Sequence, residues 1–220
     1  MIYVLGLGLL AAFGGLLWQN RTAMAARRAA RAGYFAEVLP LLGGLHARVE
    51  ASGFQRVAGD WGGRRFDLQA VPDTLSYRKL PVLWVMVTLT EAVPVTGEAH
   101  IMMRPSAGEV FSHYGLMPHS VALPMGFPAD CALRCEDAAG LPLEVIAAQA
   151  GLFADRAMKE LVIAPNGLRI VFVGEEAERV KYLLYRDAEL GMQPLPVARL
   201  VPYLQALIAL QARLREVPNG

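Results

Sequence analysis

Residues 82–90 read VLWVMVTLT. The run holds no charge, and six of its nine residues are β-branched or aromatic. It is too short for a buried helix and too apolar for a sheet edge, so it predicts a strand covered on both faces, inside a sheet.

Just before it, residues 54–58 and 64–71 flank Gly59-Asp60-Trp61-Gly62-Gly63, a hairpin signal. Phe66, Leu68 and Ala70 alternate there with Arg65, Asp67 and Gln69, the period of a half-buried strand. Further back, Tyr34, Phe35, Val38, Leu39, Leu42, Leu45, His46 and Val49 recur at helical spacing. They predict an amphipathic helix to about Ser52, kinked or started by Pro40.

Beyond residue 90 the chain turns at 94–97 and returns as a strand over 98–103. Residues 104–130, RPSAGEVFSHYGLMPHSVALPMGFPAD, form a long loop that is unusually apolar. Loops of this length are usually functional or disordered, and disorder does not suit such hydrophobicity. Phe111, Tyr114, Met117, Met125 and Phe127 are expected to offer a partner-docking surface; the competing reading folds the loop back over its own core.

A short strand is expected at 132–136 and a helix at 143–154. Residues 160–164 and 168–173 flank Pro165-Asn166-Gly167, whose Asn-Gly step favours a tight hairpin turn. RVKYLLYR, residues 179–186, is expected as a third strand, and residues 195–216 as a final helix. That helix has thirteen uncharged residues between Arg199 and Arg213, too few to span a bilayer.

The fold class is therefore α+β, a mainly antiparallel sheet packed with helices. Residues 34–104 and 131–216 form candidate α-β-β-β halves. Arg65 before Phe66-Asp67-Leu68 is echoed by Arg169 before Ile170-Val171-Phe172.

At the N-terminus, MIYVLGLGLLAAFGGLLWQN carries no Asp, Glu, Lys, Arg or His. Seventeen residues from Ile2 to Trp18 reach the short end of the ~17–25 that cross a bilayer. Residues 1–20 are thus expected to be a transmembrane helix, with Tyr3 and Trp18 near its two interfaces. A cleaved signal peptide would begin with Lys or Arg, and none precedes the run, although Ala23-Met24-Ala25 resembles a cleavage site. Gly8, Ala11, Ala12 and Gly15 make a smooth face for helix packing. Residues 21–33 continue as a basic juxtamembrane helix. Arg21, Arg27, Arg28 and Arg31 are expected at the headgroups, which places the N-terminus outside and the domain of residues 34–220 in the cytoplasm.

Net charge of +1 argues against nucleic acid, whose binders show a strongly basic face. Cys131 and Cys135 offer no disulfide framework and read as small core residues. The chain holds no Gly-x-Ser-x-Gly elbow, phosphate loop, His-Glu-x-x-His or Cys-x-x-Cys. His113 and His119 with Cys131 lack the tight spacing of zinc ligands, so no metal, cofactor or catalytic residue is assigned. The reading is an inner-membrane, non-catalytic accessory or scaffold subunit. Its partners would be the bilayer and other membrane protein subunits, as in respiratory or photosynthetic complexes. A lipid- or apolar-ligand-binding module is the alternative, and an unrecognised membrane-bound enzyme the third.

Overall fold

The computed structural model describes residues 2–74, 80–106, 108–186 and 188–216; the side chains at 2–5, 9, 11 and 185 lie outside this description. Helix α1 (Ile2–Ala32) runs unbroken for 31 residues, about 46 Å at ~1.5 Å per residue. Its second half is rich in Ala and Arg, both strong helix formers, and it stops where Gly33 turns the chain into the domain. Among the described residues no helix is long and apolar enough to cross a membrane. The transmembrane helix expected at 1–20 is to that extent unsupported, and the structural finding is a long helix projecting from the domain.

The domain is built on one nine-stranded sheet in the order β1-β2-β3-β4-β9-β8-β5-β7-β6. Its strands are β1 (Gly43–Val49), β2 (Gln55–Trp61), β3 (Arg64–Asp73), β4 (Val82–Leu89), β5 (Ala99–Met103), β6 (His119–Val121), β7 (Cys131–Cys135), β8 (Met158–Ala164) and β9 (Gly167–Glu176). Every neighbouring pair runs antiparallel. The apolar run that predicted an interior strand is β4, flanked by β3 and β9. Both expected hairpins form, at Gly62-Gly63 and at Asn166-Gly167.

One face of the sheet carries the main core. Phe66, Leu68, Val85, Val87, Ile101, Leu161, Ile170 and Phe172 point to it from five strands. Covering them are α2 (Leu143–Ala147), the 3-10 turn Ala150–Ala154 and α4 (Val197–Glu216). Leu200, Leu204, Leu207, Leu210 and Leu214 of α4 fall at helical spacing and are almost wholly buried.

Three expectations fail. No helix occupies 34–52. Tyr34, Phe35, Val38 and Leu42 are buried as expected, but Pro40 confines them to turns and the 3-10 segment Leu39–Leu41. Gly43 and Gly44, the latter at φ 54°, then swing the chain into β1, where Leu45, His46 and Val49 are exposed. Residues 179–186 do not form a strand. β9 uses its pairing with β4 up to Glu176, and Arg179–Tyr185 becomes helix α3. Nor do 34–104 and 131–216 form separate α-β-β-β units, because β4 of the first pairs with β9 of the second while β5 crosses over to β8 and β7. The helix expected at 143–154 is divided into α2 and the following 3-10 turn.

Gly174 shows how tightly the central ladder is built. It is the bulged residue where β9 slips against Leu83 and Trp84. A Cβ there would lie 2.6 Å from the Tyr34 hydroxyl and 2.7 Å from Val85 Cγ2. Both neighbours are buried and have nowhere to go. Gly174→Ala is expected to lower the free energy of unfolding by about 1–3 kcal/mol in urea denaturation, whereas Gly63→Ala meets no neighbour and only its left-handed backbone opposes it.

Candidate functional site

Three regions hold the residues expected to carry function: α1, the loop after β5, and the surface depressions. On α1 the described apolar side chains are open. Leu7, Leu10, Phe13, Leu16, Leu17 and Trp18 are 47–72 % exposed. At ~100° per residue they spread over one broad side of the helix, with Gly8, Ala12 and Gly15 on the other. A Cβ at Gly8 or Gly15 would meet nothing within 4 Å. Ala11, the fourth small residue of that face, has its side chain outside the description.

The four arginines divide into two pairs. Arg21 and Arg28 are exposed. Arg27 and Arg31, one turn apart, face the domain. Arg27 pairs with Glu189 at 3.4 Å, and Arg31 donates to the Leu190 carbonyl at 3.5 Å with its guanidinium 5.6 Å from the centre of the Phe54 ring. The base of α1 is thereby fastened to the domain.

The loop from Arg104 to Asp130 turns out to be a strap latched onto the second face of the sheet. It includes the 3-10 turn Tyr114–Leu116 and strand β6. Phe111 and Met117, expected to face a partner, are each only 7 % exposed. Phe111 packs on Trp84, ring centres 4.8 Å apart, in a small cluster with Met86, Met102 and Val171. Tyr114 is half-buried beside this cluster, and Phe127 packs on Phe153 of the main core. Only Met125 of the five stands in the open, at 97 % exposure. The five are therefore not one surface. Apolar side chains on a loop bury themselves on the nearest uncovered apolar strands, here β4, β9 and β5.

Buried charge fixes the strap. Lys159, at the bulge that opens β8, uses all three of its donors. It donates to the Met103 and Arg104 carbonyls at 2.9 Å each and pairs with Glu109 of the strap at 2.8 Å. Arg104 holds the left-handed φ of 45° while its carbonyl accepts from this ammonium. Next to it, His100 on β5 is gripped by two carboxylates, Nδ1 at 2.8 Å from Glu160 and Nε2 at 2.7 Å from Glu98. Ser112 of the strap donates to the same Glu160 oxygen and leaves its own oxygen to accept the Tyr114 amide at 3.0 Å.

Serine, histidine and glutamate together invite comparison with a nucleophile and its base. The geometry refuses it. The Ser112 hydroxyl is 3.5 Å from His100 Nδ1 and gives its proton to the carboxylate instead. Both ring nitrogens face carboxylates, so neither is open to take a proton from serine. His100 is 2 % exposed and lines neither of the two surface depressions described below. Burial pushes its pKa down, but the hydrogen bond and charge of Glu160, with Glu98 behind, outweigh burial and hold it above the ordinary 6.5. The two carboxylates thus favour the protonated form of the ring.

Neither surface depression matches an apolar-ligand pocket. One, about 370 Å³, lies on β1–β3 and is lined by His46, Arg48, Arg56 and Asp67; Arg56 and Asp67 pair at 2.9 Å. The other, about 410 Å³, lies between α4 and the 3-10 turn 150–154, where Tyr203 donates to Asp155 at 2.7 Å and Arg199 donates to the carbonyls of Val173 and Gly174. Among the described residues no three His, Cys, Asp or Glu side chains are grouped to hold a metal ion. Cys131 and Cys135 are free thiols at opposite ends of β7, and burial pushes both pKa values up, Cys131 to about 11.

The latch residues escaped sequence reading, although one signal was present. Lys159-Glu160 interrupts MKELVIA, a strand buried along its whole length, and buried charges almost always come paired. Comparison with protein-family models, curated proteins and solved structures finds no match.

Two outcomes follow from the latch. Glu109→Ala strands the buried Lys159 ammonium and is expected to cost about 3–5 kcal/mol, read as strap cleavage in limited proteolysis and a lower urea midpoint. The His100 effect has a definite sign. A proton held more tightly in the folded state stabilises fully below the unfolded pKa of about 6.5, and that contribution is lost as pH rises through the higher folded value. Protease protection of residues 104–118 should weaken as pH rises past neutral, and His100→Gln should flatten the dependence.

Proposed function

We propose that this chain is a membrane-anchored, non-catalytic accessory subunit, held by α1 in the inner membrane with its N-terminus outside. Its α+β domain docks on the cytoplasmic face of a larger membrane protein complex, for which respiratory and photosynthetic assemblies are candidate hosts. The observation that carries the reading is the contrast between α1 and α4. Both are rich in leucine, yet α4 buries its leucines against the sheet while the described ones on α1 are 47–71 % exposed. Leu7, Leu10, Phe13, Leu16, Leu17 and Trp18 left in water on one helix would be costly at ~25 cal/mol per Å². Lipid removes that cost.

Three further features support it. No Asp, Glu, Lys, Arg or His occurs before Arg21, and Arg21 and Arg28 stand exposed where anionic headgroups would lie. The side of α1 carrying Gly8, Ala12 and Gly15 is open for close approach by a second membrane helix. Met125 and Leu116, the open apolar tips of the strap, are the loop contacts left for a protein partner, with half-buried Tyr114 and Phe127 beside them.

A reporter fused after Gly220 should be active in the cytoplasm, and the chain should stay with membranes after carbonate extraction. Gly8→Leu with Ala12→Leu should reduce co-purifying subunits several-fold without changing membrane retention. Loss of the chain to the carbonate supernatant would overturn the anchor. A wild type that purifies alone would overturn the accessory role.

A further inference from the structure

Helix α3 is turned inside out. Val180, Leu183 and Leu184 are spaced i, i+3, i+4 and so share one face, and they are 63 %, 56 % and 69 % exposed. Apolar residues at that spacing normally mark the side of a helix that faces the core. Tyr182, on the other side of the helix, is half-buried, with the Arg186 guanidinium 5.7 Å from the centre of its ring. Two exposed basic residues flank the apolar stripe, Arg179 on one side and Lys181 on the other, the latter 3.3 Å from Glu178.

The place of α3 in the fold says what covers it. Glu189 joins α3 to α1, with one carboxylate oxygen 3.4 Å from Arg27 and the other 3.5 Å from Lys181. The neighbouring Leu190 carbonyl accepts from Arg31. Arg27 is seven residues past Asn20, about 10 Å along the helix at ~1.5 Å per residue. If Trp18 to Asn20 sit among the headgroups, α3 is held within about one helix diameter of the bilayer, ~10 Å. That gap is too thin for a folded protein partner and suits a helix lying on lipid. Apolar side chains reaching the acyl boundary, rimmed by cations facing phosphates, are the chemistry of an interfacial helix. Arg21 and Arg28 add to the same positive field.

We propose that α3 lies on the cytoplasmic leaflet as a second membrane contact, with Val180, Leu183 and Leu184 in the acyl–headgroup boundary and Arg179 and Lys181 facing anionic phospholipid. This rests on the reading of α1 as an anchor. It gives the domain one orientation instead of free rotation about a single helix, because α1 and α3 together define a plane.

The test uses the full chain with Cys131→Ala, Cys135→Ala and Leu183→Cys, labelled with an environment-sensitive fluorophore. It is reconstituted into phosphatidylcholine vesicles with and without phosphatidylglycerol. A parallel label at Met125→Cys reports a position exposed to water. Flotation tells whether the chain is bound, and nitroxide-lipid quenching tells whether the label is at the bilayer. The expected result is flotation of every sample, with quenching at 183 at least twofold stronger than at 125 and strongest in the anionic vesicles. Val180→Ser with Leu184→Ser should abolish the difference while flotation persists. Flotation with equal quenching at 183 and 125 would overturn the α3 contact and leave the anchor standing. Equal quenching at 183 in both vesicle types would overturn its preference for anionic lipid. Failure to float would overturn the anchor and the α3 contact together.

Discussion

The pairing of β4 with β9 is the interaction on which the rest depends. Eight residue pairs from Val82 to Leu89 join the first three strands to everything that follows β4 in the sheet order. The two strands are buried on both faces, and each face creates a separate demand. Leu83, Val85, Val87, Ile170 and Phe172 need the α4 side to be covered. Trp84, Met86 and Val171 need the opposite side covered as well, and among the described residues no helix contributes to their cluster. The strap after β5 fills that role, which explains an irregular segment so rich in aromatic and methionine side chains.

Covering a sheet with a loop brings a difficulty that a helix does not have. A loop leaves backbone carbonyls without partners, and buried carbonyls must be satisfied. Lys159 answers that for Met103 and Arg104, and Glu109 then balances its charge. Ser112, which donates to Glu160, accepts the Tyr114 amide further along the strap. Such buried ions are weak evidence for net stability, since an apolar replacement of both partners is often as stable. What they supply is registry: a cation with three donors accepts one arrangement of the strap and rejects slipped ones.

The described apolar side chains differ in where they go. Most of those on the central strands and α4, with Phe111 and Met117 of the strap, are buried, whereas Leu7, Leu10, Phe13, Leu16, Leu17 and Trp18 of α1 and Val180, Leu183 and Leu184 of α3 stay exposed, though their residue types are the same. The two helices are tied together through Glu189 at one side of the domain.

Local pattern was enough for the strands and hairpins. Alternation at Phe66, Leu68 and Ala70, the apolar run of β4, and Asn166-Gly167 each describe a conformation that neighbouring residues alone impose. The N-terminal stretch forms a helix, as its leucine, alanine and arginine content favours. Local pattern misled twice, and for a tertiary reason each time. At 34–52 the spacing was real, but Pro40 and Gly43-Gly44 broke the backbone, and an open edge of β2 was there to pair with. At 179–186 the residues suited a strand as well as a helix, and β4 had no free edge left once β3 and β9 flanked it. Strand order, the inward turn of Phe111 and Met117, and the meeting of Lys159 with Glu109 and of His100 with Glu160 and Ser112 join residues tens of positions apart. No local rule encodes such meetings; they exist only once the sheet has closed and left one of its faces for the strap.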